Sequence, residues 1–81
     1  MIAELTHLTY SEYVLYKYLY IRMNTFVDAE ELITKALGQH VVDRSARRTM
    51  QVQMCSLRKK LPFDLRIICK HKIGYMMELN K

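Results

Sequence analysis

SARRTMQVQMCSLRKKL, residues 45–61, is the stretch on which the reading of the whole chain turns. At helical spacing Met50, Met54, Leu57 and Leu61 recur at i, i+4, i+7 and i+11, one narrow apolar stripe. With about 100° of turn per residue, Ser45, Arg48, Val52, Cys55, Ser56 and Lys59 fall on the opposite side. That side offers cations, hydroxyls and a valine, and the segment holds no Asp or Glu. Such a helix can rest its apolar back on a core and present its front to a DNA major groove. An ordinary amphipathic helix with a solvated basic face has the same pattern, so the segment alone leaves both readings open.

Working outward, either Asp43 or Ser45 can cap this helix, the first choice taking in Arg44 and the second giving 45–61. Pro62 closes it at Leu61, because the residue before a proline is pushed out of the helical region. Upstream, Thr9 and Glu12 have capping-box spacing and open a helix of about 10–23. Tyr13, Val14, Leu15, Tyr16, Tyr18, Leu19, Tyr20 and Ile21 make it apolar almost all round, with Lys17 as the main interruption. Tyrosines can stack on bases, but rings buried at a core or interface with their hydroxyls wetted account better for so many. Asn24 and Thr25 break this helix, and Phe26-Val27 forms a short extended piece. Asp28 then caps a helix of 29–37, with Glu30 and Glu31 at the positive end of its dipole. Leu32, Ile33, Ala36 and Leu37 form its stripe, and Gly38 suits the left-handed position that follows it. The first eight residues have room for at most one short strand.

Downstream, residues 67–69 and 75–79 read as two strands joined by Lys70-His71-Lys72-Ile73-Gly74, with Gly74 free to take positive φ. The expected fold class is therefore mainly α with a small β hairpin: a three-helix winged helix-turn-helix. A single domain covers 1–81, with the wing at about 66–79.

Composition bounds the rest. Eighty-one residues bury only roughly 60% of the surface of the unfolded chain, so stability is modest. No apolar run approaches the ~20 residues of a membrane span, and the N-terminus lacks the features of a signal peptide. A soluble, cytoplasmic, nucleoid-associated protein is expected, with no membrane partner. Cys55 and Cys69 show no metal-binding spacing with the histidines and read as reduced thiols. Phosphate-cradling glycine motifs and nucleophilic constellations are lacking, so neither enzymatic activity nor a metal or other cofactor is expected. The charge is lopsided: residues 1–40 hold three Lys or Arg against five acids, whereas residues 41–81 hold ten against three. A net charge of +5 concentrated in one half points to a polyanion.

Several motifs, taken together, resemble the effector domain of the OmpR/PhoB-type, or ToxR-like, regulators. They are Leu8-Thr9-x-x-Glu12, Glu30-Glu31-Leu32-Ile33, Arg48-Thr49-Met50, Leu57-Arg58-Lys59-Lys60-Leu61, and Ile67 followed by Ile73-Gly74-Tyr75. They span Leu8 to Leu79 in order. The resemblance implies a third helix in the major groove and a wing at the adjacent minor groove. It implies that Arg48 and Thr49 clamp phosphate, that Val52 and Gln53 face base edges, and that Ser56 and Cys55 stand where relatives often carry basic residues. Arg58 matches a basic slot of the motif and Lys59 the outward position beside it. His71 and Lys72 replace the wing's usual Arg-Gly, and Tyr75 is the core aromatic that anchors the hairpin. The family domain normally begins with a four-stranded sheet. The few residues before the first helix suggest a stand-alone domain without that sheet, whose tyrosine-rich helix is covered by a second copy or another protein.

The leading expectation is a sequence-specific regulator of transcription bound to double-stranded DNA. Arg44, Arg47, Arg48, Lys59, Lys70 and Lys72 grip the duplex, while Val52, Gln53 and Ser56 read it, with a leaning toward A/T. The alternatives are a DNA-bending architectural protein, or an interaction module that works on another regulator or on RNA polymerase.

Overall fold

A computed structural model of the chain describes residues 8–79. The stretch expected to form at most a short strand lies, Leu8 apart, outside the described residues. Three helices and a hairpin follow one another: α1 (Tyr10–Ile21), α2 (Ala29–Glu31, running on as a π-helical turn, Leu32–Ala36), α3 (Arg44–Lys60), β1 (Leu65–Lys70) and β2 (Gly74–Leu79). This is the expected winged helix-turn-helix.

The capping box at the start of α1 is present in both halves. The Glu12 amide donates to the Thr9 hydroxyl at 3.2 Å, and the Thr9 amide donates to the Glu12 carboxylate at 3.0 Å. Leu15 and Leu19 are fully buried and seat α1 on the core. The helix ends two residues earlier than expected. The amides of Arg22 and Met23 reach back only three residues, to the carbonyls of Leu19 and Tyr20, and Asn24 takes a left-handed φ of 67°. Asp28 precedes α2 without a side-chain cap. The π-turn replaces the plain α-helix expected here; the Leu37 amide donates to the Leu32 carbonyl, five residues back, at 3.0 Å. Leu32 and Ile33, adjacent in sequence, are both wholly buried, and Gly38 follows with φ 72°.

Asp43, not Ser45, caps α3: its carboxylate accepts from the Ala46 amide at 2.8 Å. Ala46, Met50, Met54 and Leu57 form the buried stripe, with Leu61 packed against it beyond the helix end. The hairpin is antiparallel, with Ile67 opposite Met77 and Arg66 opposite Glu78, whose side chains pair. Ile67, Tyr75 and Met77 complete the core.

The hairpin is not free-standing. Val27 exchanges two backbone hydrogen bonds with Tyr75, at 2.7 and 2.9 Å, and the Asn24 amide donates to the Met77 carbonyl at 2.8 Å. The Phe26-Val27 piece is thus a one-residue edge strand on β2. Gly74 makes the approach possible: a Cβ at its position would stand 2.1 Å from the Val27 carbonyl oxygen, and its φ is +136°.

Two polar clusters tie the helices. Glu12, only 3% exposed, receives the Lys60 ammonium at 2.9 Å and the Ser56 hydroxyl, both from α3. Burial pushes the Glu12 carboxyl upward. The Ser56, Lys60 and Thr9 donors outweigh that and hold it at about 2 against a usual 4.5. On the other flank, the Tyr18 hydroxyl donates to Glu31, and the Arg22 guanidinium lies 3.8 Å from the Tyr18 ring centre and 3.9 Å from Glu31. Burial and the Glu31 carboxylate push the Tyr18 hydroxyl pKa up.

Since Glu12 binds its proton less tightly when folded, its share of stability is complete above about pH 4.5 and drains away as pH falls toward 2. Thermal melts from pH 7 to 2 are expected to show this fall in the native chain and a flatter curve in Glu12→Gln, whose melting temperature at pH 7 is lower. Gly74→Ala is expected to cost about 2 kcal/mol or more, read from the urea midpoint, because it combines a backbone collision with a disfavoured φ.

Candidate nucleic-acid interface

The outward surface of α3 is largely cationic because the acids nearest the helix among the described residues are mostly engaged, Glu30 with Arg47 among them, while Asp28 lines the cleft described below. Asp43 is its cap and Glu12 lies beneath it, bound to Lys60. Arg44, Arg48, Thr49, Gln51, Val52, Cys55, Arg58 and Lys59 are exposed, and Val52 keeps 61% of its surface open. Lys60, basic but on the other flank, faces Glu12.

The hairpin tip lies beside this surface. The turn at residues 71–73 is closed by the Ile73 amide donating to the Lys70 carbonyl at 3.0 Å, and Lys72 adopts a left-handed φ of 67°. Lys70, His71 and Lys72 are all exposed, and the Lys70 ammonium stands 5.9 Å from the Phe26 ring centre. Between the tip and the first turns of α3 runs an open cleft of about 420 Å³, lined by Arg47 and Gln51 of the helix, by residues 69–75 of the hairpin, and by Asp28 and Ala29. A cleft with basic side chains on both walls suits a phosphodiester strand. Arg47 is half occupied by an ion pair with Glu30 at 2.9 Å, but both groups are well exposed. Such a pair contributes only about 0–1 kcal/mol, so a phosphate can displace it.

The expected site residues therefore do not share one environment. Arg44, Arg48, Thr49, Val52, Arg58 and Lys59 on the helix and Lys70, His71 and Lys72 on the wing point to solvent around one surface. Ser56 does not: it is half-buried, with its hydroxyl on Glu12. Gln53 is also half-buried, and its Oε1 is shut off from solvent with no hydrogen-bond partner among the described residues. The helical wheel places both residues off the apolar stripe but does not show that α1 packs over that flank. Gln51 was not among the expected site residues, yet it is exposed and lines the cleft. The only sequence signal for it is its place one turn after Arg47, on the edge that the hairpin later flanks.

Both thiols are free and exposed, Cys55 on the outer face of α3 and Cys69 on β1. Tyr75, the expected anchor of the hairpin, is 8% exposed; burial first, and then the Cys69 thiol beside it, raise its pKa. No helix among the described residues is long and apolar enough to cross a membrane.

No curated protein sequence matches the chain significantly. A family model described as "Transcriptional regulatory protein, C terminal" matches residues 3–77, nearly the full length, and the motifs that suggested the resemblance all begin inside that span. With its helix order, its hairpin and its basic face, the chain belongs to the OmpR/PhoB-type family of C-terminal DNA-binding domains of transcriptional regulators.

Proposed function

We propose that this chain is a sequence-specific regulator of transcription that lays α3 in the major groove of double-stranded DNA and sets its wing against the adjacent minor groove. The observation that carries the reading is the cationic surface: Arg44, Arg48, Arg58 and Lys59 along α3, then Lys70, His71 and Lys72 at the hairpin tip, across one cleft. Arg48 and Thr49 hold phosphate near the start of the helix. Val52, bare and central, is suited to a thymine methyl group. The wing cations favour the negative potential of a narrow minor groove. Their action is that of a cytoplasmic protein at the nucleoid.

A second reading has one observation in its favour. Tyr10, Tyr13, Tyr20 and Ile21 of α1 are 81, 46, 49 and 66% exposed, and Lys17 is the only charge among the exposed residues of that helix. An apolar face of this kind fits a protein contact, either a second copy or another component of transcription such as RNA polymerase.

Mobility shifts in a salt series test the first reading. With about five to six phosphates engaged, the log–log slope of affinity against salt is expected near −5. Arg48→Ala is expected to weaken all duplexes alike and to reduce the slope by about 1. No shift with generic duplex at low salt refutes the reading and favours the protein module. For the second reading, sedimentation at micromolar concentration is expected to show self-association that Tyr13→Glu abolishes; a strict monomer excludes the second copy as the partner.

A further inference from the structure

We infer that Gln51 is a base-reading amide of this domain and that Gln53 is not; the inference rests on the DNA-binding reading above. Glutamine is the side chain that pairs in bidentate fashion with the N6 and N7 edge of adenine, so which of the two amides faces the groove decides where sequence is read.

Three observations separate them. First, the Gln53 Oε1 is buried without a partner among the described residues, and turning the amide end over end would bury the nitrogen in its place. Second, the two residues lie on opposite flanks of the apolar stripe. Taking Met50 as origin, Gln53 lies about 60° to one side and Gln51 about 100° to the other. The Gln53 flank also holds Ser56 and Lys60, which the Glu12 carboxylate of α1 draws inward. The Gln51 flank opens on the cleft that the hairpin borders. Third, Gln51 stands between two kinds of contact. Val52, next to it, is bare toward the base edges, while Arg47, Lys70 and Lys72 wall the cleft where a phosphodiester strand fits. A strand seated there brings the edge of its neighbouring base pair to the Gln51 amide. Gln51 thus reads the base pair on the wing side of the one that Val52 touches, and Gln53 fills space between α3 and the body of the domain.

Selection of duplexes from a random pool, run in parallel on the native chain, Gln51→Ala, Gln53→Ala and Gln53→Leu, tests this. The native chain is expected to enrich a motif with an adenine at one defined position. Gln51→Ala is expected to lose that preference, with a drop of about 5- to 100-fold on the selected duplex and none on generic duplex. Gln53→Leu, which keeps the volume, is expected to enrich the native motif, so a folding defect in Gln53→Ala does not blur the result. An unchanged motif with Gln51→Ala, or an altered one with Gln53→Leu, overturns the inference while leaving duplex binding intact. Failure of the native chain to bind any duplex at low salt overturns the DNA-binding reading and this inference with it. Binding without any preference overturns only this one.

Discussion

The carboxylate of Glu12 is the contact on which the arrangement of this domain depends. It lies in the first turn of α1, where it completes the cap that starts the helix, and it receives donors from the last turns of α3. One buried charge therefore sets both where α1 begins and how α3 lies across it. The buried stripe of α3 limits how that helix lies, and an apolar side chain at position 12 would add no directional demand to it. A carboxylate that needs Ser56 and Lys60 at once accepts only one rotation of the helix, and leaving it unpaired would cost several kcal/mol. That rotation settles which residues of α3 remain outside: Arg48, Val52 and Lys59 stay in solvent, while the Ser56 and Gln53 flank is covered.

Much of this was legible in the chain itself. The cap of α1 is local chemistry, Thr9 and Glu12 satisfying each other from three residues apart. The α3 stripe is periodicity: Met50, Met54 and Leu57 are buried as the spacing selects, Leu61 only packs against them beyond the helix end, and Ala46 joins them one turn earlier. Gly74 is expected in the turn as a residue able to take positive φ, which it does, and its close approach to the Val27 carbonyl adds a second reason. Where the structure adds to or departs from what the sequence implies, the information is not local. The π-turn in α2 has no period of its own in a five-residue segment. The inward pull on Ser56 and Lys60 belongs to α1, more than 40 residues away in sequence, and a helical wheel drawn for α3 alone has no place for it. The place of Gln51 at the cleft is of the same kind: the hairpin borders that flank, and a wheel shows only the helix.

The electrostatics follow a simple division of labour. The acids of the described chain lie largely on the body: Glu12 under α3, Glu31 with Tyr18 and Arg22, Glu78 with Arg66, and Asp43 in its cap. Each is matched inside the fold, which leaves the outer face of α3 and the hairpin tip with cations. The protein thus achieves a strongly positive surface without a high overall charge, +5 in 81 residues. Such a surface attracts a polyanion from a distance while the remainder of the domain stays close to neutral and suited to contacts of other kinds.

The two-way backbone bond between Val27 and Tyr75 has a consequence for how the domain meets its target. It fastens the hairpin to the segment joining α1 and α2, so the span from probing helix to wing tip is set in the folded monomer. The loss of freedom that would otherwise accompany clamping is incurred during folding and not at docking. In the docking proposed above, the domain would therefore meet a duplex as a caliper with its jaws already set. A double helix whose groove spacing departed from that span would itself have to bend or twist to fit, so the mechanical compliance of the target would become part of what is recognised.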